Sequence, residues 1–214
     1  MLMEPTDHNL RAWEEVHRRR ADARTGRPAL PSPVRHALAD LRDKRALDLQ
    51  CGTGEAAAAF AELGATVTGV DSSAEALALA RERWPSILWI EGEADALPRE
   101  LRRGRFDLVY SGDGVESVRD LDAWATGIAS ALRSGGDVLV YGEHPVAACV
   151  DGLMHWRESY FDDGAIVRLG RIVTAIARAG LSVRALEEYP QQAGNVRHHD
   201  ARVPGTFLFH ARRP

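Results

Sequence analysis

Short apolar runs alternate with helix-forming segments over most of this 214-residue chain. Apolar runs at 46–49, 66–70 and 87–90 have the length of buried strands. An alanine-rich segment follows the first run. The second run is followed by a segment from Ser73 to Trp84, which begins with serines that can cap a helix and ends before Pro85. This alternation predicts a parallel sheet covered by helices.

The second half of the chain continues the same alternation. Apolar residues recur at helical spacing over 121–132 and again over 169–176, where the run stops before Gly180. Two late strand candidates follow at 181–186 and 206–211. We therefore predict an α/β fold of the Rossmann-like kind, with a seven-stranded sheet and helices on both of its faces.

A proline-rich stretch separates an N-terminal helical segment from the rest of the chain. Residues 8–24 have helical spacing, and residues 27–33 contain three prolines. Proline ends helices and stiffens linkers. We therefore expect a helical lid with a proline-rich tether at 1–33 and a main domain at 34–214. Trp13 is expected either to pack within the lid or to contact the ligand.

The most informative stretch of the chain is 47–73, in which a glycine turn joins two predicted strands. The first strand holds Asp48, the turn contains Gly52 and Gly54, and Asp71 closes the second strand. Glycine lacks the Cβ that would hold a ligand away from the backbone. Asp71 can accept hydrogen bonds from both hydroxyls of a ribose. This arrangement predicts a site for an adenosine-containing ligand.

The glycine turn by itself leaves more than one class of protein open. Gly52, Gly54 and Ala57 satisfy the pattern G-x-G-x-x-G/A, which dinucleotide-binding folds share. An NAD-type oxidoreductase is therefore one interpretation, and a non-catalytic cofactor-binding protein is another.

Three details favour S-adenosylmethionine over a nicotinamide cofactor. Asp48 is placed to orient the turn and to help hold an ammonium group. Gln50 and Cys51 stand where a glycine is expected before a pyrophosphate, and S-adenosylmethionine has no phosphate to accommodate. Asp95 follows the third apolar run, where its carboxylate could contact an adenine amino group.

With these residues in place, the chain resembles the class I S-adenosylmethionine-dependent methyltransferases in five ordered motifs. The motifs are D-x-G-x-G-x-G at 48–54 with Gln50 at its first glycine, Asp71-Ser72, Asp95-Ala96, F-D-L-V at 106–109 followed by Tyr110 and Ser111, and an L-x-P-G-G variant at 132–136 with Ser134 at the proline.

The resemblance covers about 45–141 and implies a mostly parallel sheet whose last strand is antiparallel. It also implies S-adenosyl-L-methionine as methyl donor and S-adenosyl-L-homocysteine as product. The cofactor-binding positions that it implies are Asp48, Gln50, Cys51, Gly52, Gly54, Asp71, Ser72, Asp95, Ala96 and Ser111.

Residues on the acceptor side are expected in the segment 143–164, which is long for a strand-to-helix connection. His144 follows the fifth strand directly and titrates near neutral pH, so we predict that it is the general base. A structural, neutral histidine is the alternative. The predicted substrate-pocket residues are Trp13, His155 and Tyr160, and the reserve bases are Glu143, His155 and Tyr160.

The composition of the chain indicates which kinds of binding partner are expected. The chain has 27 basic and 31 acidic residues, a formal charge of −4, which does not suggest a nucleic-acid surface. It has two cysteines, no signal-peptide pattern and no apolar span of about 20 residues. We expect a cytoplasmic monomer or homodimer that binds a small-molecule methyl acceptor, without membrane, nucleic acid or metal.

Overall fold

The structure, a computed structural model, describes residues 28–150, 155–161, 166–190 and 203–214. The predicted lid helix with Trp13 lies outside these ranges and stays a prediction. Helix α1 begins at Ser32, two residues before the predicted start of the main domain, and Leu30 and Val34 are buried. The chain just before the first strand is therefore packed against the sheet.

The described residues alternate strands and helices as the sequence predicts. The strands are β1 Arg45–Leu49, β2 Thr66–Asp71, β3 Leu88–Glu91, β4 Phe106–Gly112, β5 Leu132–Glu143, β6 Ser182–Pro190 and β7 Pro204–Arg212. The helices are α1 Ser32–Ala37, α2 Glu55–Glu62, α3 Ala74–Arg83, α4 Leu121–Ala131 and α5 Leu169–Arg178.

The strands form one seven-stranded sheet in the order β3-β2-β1-β4-β5-β7-β6. Neighbouring strands from β3 to β5 are parallel, whereas β7 runs antiparallel to both β5 and β6. The predicted fold class and the antiparallel last strand are thus confirmed. Because β1 and β4 are neighbours although β2 and β3 come between them in sequence, the strand order reverses beside β1. Open α/β sheets bind their ligands at such a point.

Two apolar clusters cover the two faces of the sheet. On one face, α4 and α5 pack Trp124 and Ile172 against strand residues such as Phe209. On the other face, α1, α2 and α3 bury residues such as Phe60 and Leu77. Helices therefore lie on both faces, as predicted. Among the described residues, no helix combines the length and apolar character needed to cross a membrane.

Some element boundaries differ from the predicted ones, and the differences have local causes. Helix α1, at Ser32–Ala37, lies across the predicted boundary between the tether and the main domain. The apolar periodicity to residue 132 extends past the end of α4, because Leu132 already begins β5 and is buried within it. Ser73 caps α3 as predicted, since its side chain accepts a hydrogen bond from the amide of Ala76.

Trp124 anchors the cluster beneath α4 and is fully buried. We expect Trp124→Ala to lower the free energy of unfolding by about 3–5 kcal/mol, because the substitution leaves a cavity in a close-packed core. Trp156→Ala is the matched control, since Trp156 is 61% exposed and its loss should cost below about 1 kcal/mol. Urea unfolding followed by circular dichroism measures both values. Equal losses in the two variants would contradict this account of the core.

Candidate active site

The glycine turn lies between the end of β1 and the start of α2. Its backbone takes the left-handed conformation at Gln50, Gly52 and Gly54, with φ of 58°, 53° and 86°. A Cβ atom on Gly54 would lie 2.4 Å from the Trp89 ring. Glycine is therefore required at position 54 both by its φ and by the approach of Trp89.

Asp71, at the end of β2, ties the glycine turn to the neighbouring strand. One carboxylate oxygen accepts the amide hydrogen of Gly52 at 2.8 Å, and the other accepts that of Ser73 at 2.8 Å. A carboxylate offers about four acceptor positions. These two contacts therefore leave acceptor capacity on Asp71 for the hydroxyl groups of a ligand.

Asp48 lies one strand away and is almost completely buried. Burial raises the pKa of its carboxyl well above the usual value. A hydrogen bond from the amide of Ala57 lowers this pKa, whereas the negative charges of Asp71 and Glu55 raise it further. Its Oδ2 atom has no hydrogen-bond partner among the described residues. A buried carboxyl oxygen without a partner is costly unless a ligand or water satisfies it.

Two tryptophans that are not among the predicted site residues pack beside the glycine turn and are joined to it by hydrogen bonds. The indole of Trp89 donates to the carbonyl of Trp84 at 3.1 Å, and the indole of Trp84 donates to the carbonyl of Thr53 at 3.3 Å. Trp89 also packs on Gly69, where a Cβ atom would lie 2.3 Å from its ring. A glycine within a strand was the sequence signal for this close approach.

Gln50 replaces the first glycine of the motif and joins the turn to the end of β4. Its side-chain amide donates to the carbonyl of Gly114 and, at 3.0 Å, to the hydroxyl of Ser117. Its side-chain carbonyl accepts from the hydroxyl of Ser111 at 3.0 Å. The side chain therefore has its own hydrogen-bonding role, and a Cβ atom on Gly114 would clash with it at 2.7 Å.

The other predicted cofactor residues surround the same edge of the sheet. Cys51 is buried, and burial is the main reason why the pKa of its thiol lies well above the usual value. The negative charges of Asp48 and Asp71 raise this pKa further. Cys51 is therefore a neutral turn residue and not a thiolate nucleophile. Ser72 is exposed next to Asp71. Asp95 and Ala96 lie in the short 3₁₀ helix that follows β3.

Asp95 connects this 3₁₀ helix to the N-terminus of α4. Its carboxylate accepts the amide hydrogen of Asp120 at 3.2 Å and lies 4.0 Å from the guanidinium of Arg119. The carboxylate is thus held at the edge of the sheet by the residues that precede α4.

His144 is buried directly after β5, and each of its two ring nitrogens lies close to a different group. Nδ1 accepts the amide hydrogen of Val146 at 3.1 Å, and Nε2 lies 2.7 Å from the carboxylate of Glu188 on β6. Burial lowers the pKa of His144, although Glu188 acts in the opposite direction. Because Nδ1 is an acceptor, the proton of the neutral ring is on Nε2.

An acidic group lies beside His144, at the ends of β4 and β5. Withdrawal from water and the charge of Asp113 raise the pKa of Glu143. Withdrawal from water and the charges of Asp113 and Glu143 likewise raise the pKa of Glu116. Asp113 and Glu116 were not selected from the sequence, because no local pattern links the two loops.

The predicted substrate-pocket residues lie in different places. His155 is exposed, and Trp13 is outside the described residues. Tyr160 stacks edge-to-face on Phe161, with ring centroids 5.4 Å apart, and lines a groove between α4 and α5. Tyr160 is therefore placed on the α4–α5 side of the sheet.

Comparisons with known proteins agree with this geometry. A family model described as a methyltransferase domain matches residues 46–136. The chain is 39% identical over 104 residues to a demethylmenaquinone methyltransferase of Chlorobaculum tepidum, a match that covers 48% of this chain and 42% of the relative. The chain thus matches less than half the length of this curated relative.

Solved structures extend the likeness over most of the chain. An S-adenosylmethionine-dependent methyltransferase from Mesorhizobium loti is 25% identical, with a TM-score of 0.71, over 85% of this chain and 96% of its own. The [4+2]-cyclase SpnF shares the fold at 20% identity and a TM-score of 0.61, over 81% of this chain and 75% of its own. The fold is therefore also found in a protein named for a different reaction.

The buried carboxyl of Asp48 should make stability fall as pH rises. Its folded-state pKa lies above the ordinary value of 3.8, so the folded state holds the proton to higher pH than the unfolded state. Stability is then lost between the two values, at about 1.4 kcal/mol for each pH unit. Asp48→Asn should remove this decline and should be more stable than the parent at pH 7.

Urea unfolding of the ligand-free protein between pH 4.5 and 8 measures this effect. Asp43→Asn is the control, because it removes an exposed carboxylate and should leave the slope of stability against pH unchanged. Parallel curves for the parent and Asp48→Asn would show that Asp48 is ionised in the folded protein.

Proposed function

We propose that this chain, which belongs to the class I S-adenosylmethionine-dependent methyltransferase family, transfers a methyl group to a small-molecule acceptor. The observation that carries the proposal is the glycine turn held by Asp71 at the point where the strand order reverses. Because the fold alone also supports another named reaction, the proposal depends on these residues and not on the sheet.

The chain's own groups fit the parts of S-adenosylmethionine. The remaining acceptor positions on Asp71 suit the two ribose hydroxyls. The unpartnered oxygen of Asp48 suits the ammonium group, which would also stabilise its ionised form. When bound, S-adenosylmethionine supplies a methyl carbon on a positively charged sulfur, which becomes neutral in S-adenosylhomocysteine.

The remaining predicted residues would complete the cofactor site. Asp95, fixed by Arg119 and the Asp120 amide, is proposed to accept from the adenine amino group. The backbone of the turn is proposed to hold the methionyl part. The full proposed set is Asp48, Gln50, Cys51, Gly52, Gly54, Asp71, Ser72, Asp95, Ala96 and Ser111.

The protein's contribution to transfer is alignment of the acceptor with the methyl carbon. Holding two reactants in line is worth up to about 7–11 kcal/mol of the barrier in favourable cases. As the new bond to the acceptor oxygen, nitrogen or sulfur forms, a protonated acceptor must lose its proton to a base. The acidic group at the ends of β4 and β5 gives this side of the site negative charge, which suits an uncharged or cationic acceptor.

We propose His144 as the base, with a specific requirement that follows from its contacts. To take a proton at Nδ1, the ring must release the amide of Val146, while Glu188 can stabilise the cation that forms. Glu143 is the second candidate, because its raised pKa makes it a stronger base than an ordinary carboxylate.

Direct binding tests the cofactor proposal. Calorimetry should give saturable binding of S-adenosylmethionine and S-adenosylhomocysteine, whereas NAD should not bind. Asp71→Asn should weaken S-adenosylmethionine binding tenfold or more, since a hydrogen bond to a charged group contributes about 1.5–3 kcal/mol.

Glu91→Gln is the matched control for Asp71→Asn. Glu91 lies opposite Asp71 in the register of β2 and β3, but its side chain is exposed. The Glu91→Gln variant should therefore bind S-adenosylmethionine with the same affinity as the parent protein. Circular dichroism confirms that each variant is folded. An unchanged affinity in folded Asp71→Asn, or tight binding of NAD, would overturn the proposed cofactor site.

Release of S-adenosylhomocysteine from a screen of hydroxy, amino and thiol compounds identifies the acceptor. With that acceptor, His144→Ala should lower kcat by about 10²–10⁴-fold and remove the acidic limb of the pH–rate profile. Because burial lowers the pKa of His144, this limb should lie below the ordinary histidine value of 6.5. If Glu143→Gln instead causes the loss and His144→Ala keeps the limb, Glu143 is the base.

A further inference from the structure

The side chain of Gln50 connects the glycine turn to the loop that follows β4. This β4–α4 loop spans residues 113–120. The side-chain amide of Gln50 donates one N–H to the carbonyl of Gly114 and the other, at 3.0 Å, to the hydroxyl of Ser117. That hydroxyl itself donates to the Gly114 carbonyl at 2.8 Å. The amide, the hydroxyl and the carbonyl therefore form a closed cluster of hydrogen bonds.

The β4–α4 loop also packs closely against this side chain. Gly114 is buried, and a Cβ atom on it would lie 2.7 Å from the side-chain amide nitrogen of Gln50. The loop can therefore approach the turn so closely only because residue 114 has no side chain.

The backbone of Gln50 holds a conformation that favours glycine. Its φ is 58°, in the left-handed region that L-residues rarely adopt, and Asp113 on the loop has a φ of 47°. Such conformations persist where the surrounding contacts fix them. A glycine at position 50 would take this φ freely but could make none of the side-chain hydrogen bonds. The glutamine thus adds a link between the turn and the loop that a glycine would lack.

The β4–α4 loop lies between the two sides of the proposed active site. Because β4 stands between β1 and β5, the loop emerges at the edge of the sheet where the glycine turn lies. The amide of Asp113 donates to the carbonyl of Tyr141 on β5 at 2.9 Å, and the amide of Asp120 donates to Asp95 at 3.2 Å. The loop also carries two carboxylates of the acidic group, those of Asp113 and Glu116.

Two apolar residues anchor the loop independently of Gln50. Val115 and Val118 are buried in the apolar cluster beneath α4. Loss of the glutamine side chain should therefore leave the loop folded and remove only its link to the turn.

We propose that Gln50 is a positioning residue that couples the glycine turn to the β4–α4 loop. Because its backbone belongs to the turn and its side-chain amide holds the loop, S-adenosylmethionine that orders the turn also orders the loop. The acceptor side of the site is thus completed once the cofactor is bound. The coupling rests on the proposed function, and it gives Gln50 a role that binding of the cofactor alone does not require.

Hydrogen exchange of the full-length protein, followed by mass spectrometry with and without S-adenosylmethionine, measures the coupling. In the parent, the cofactor should slow exchange about fivefold or more both at 113–118 and at 72–74, because it suppresses local opening of both segments. In Gln50→Gly the slowing at 113–118 should fall below about twofold. The slowing at 72–74 should remain, because the amide of Ser73 is fixed by Asp71 and not by Gln50.

Asp43→Gly is the matched control. Asp43 is exposed and has a φ of 60°, so this variant also replaces a left-handed residue with glycine, before β1 and away from the loop. It should match the parent in both segments. The affinity of Gln50→Gly for S-adenosylmethionine, measured by calorimetry, should stay within about threefold of the parent, because glycine fits the conformation of the turn.

The outcomes separate the coupling from the cofactor site. If the cofactor binds the parent but slows exchange at 113–118 in neither protein, or equally in the parent and Gln50→Gly, the coupling is overturned and the cofactor site stands. Loss of slowing in both segments of Gln50→Gly would also overturn the coupling, because the glutamine would then only stabilise the turn. Absence of S-adenosylmethionine binding to the parent would instead overturn the proposed function and the coupling with it.

Discussion

The two hydrogen bonds accepted by the carboxylate of Asp71 are the interaction on which the site depends. They join the amide of Gly52, in the turn after β1, to that of Ser73, at the start of α3. Two loops from neighbouring strands are thereby fixed by one buried charge, and charge-assisted bonds of this kind are stronger than neutral ones. A turn with three left-handed residues needs such a constraint, because fixing its backbone in that conformation costs conformational entropy.

The same turn explains why the sequence predicts this part of the molecule well. Strand, glycine turn, helix and acid are consecutive in the chain, so local patterns contain nearly all of the information. Strands β1 to β6 are predicted for the same reason, since each of them precedes or follows a helix whose apolar period is visible in the sequence. The boundary between α4 and β5 was misplaced because Leu132 satisfies both the helical pattern and the strand that follows.

What the sequence could not predict are contacts between distant segments. Gln50 appeared as a departure from the motif, yet it hydrogen-bonds to Gly114 and Ser111, more than 60 residues away. The partnership of His144 with Glu188 likewise depends on the register of β7 between β5 and β6. Register is set by the pairing of whole strands, which a local pattern does not specify.

Carboxyl groups are concentrated at one edge of the sheet. Beside the glycine turn, carboxyl groups are buried or crowded, which raises the pKa values of Asp48, Glu116 and Glu143. A cation bound there would relieve repulsion that the ligand-free protein otherwise carries, so binding and stability are linked. Arg119, just before α4, lies beside two further carboxylates, 3.7 Å from Glu93 and 4.0 Å from Asp95. These contacts help to hold the carboxylate of Asp95, which we propose as the acceptor for the adenine amino group, at the end of the third strand.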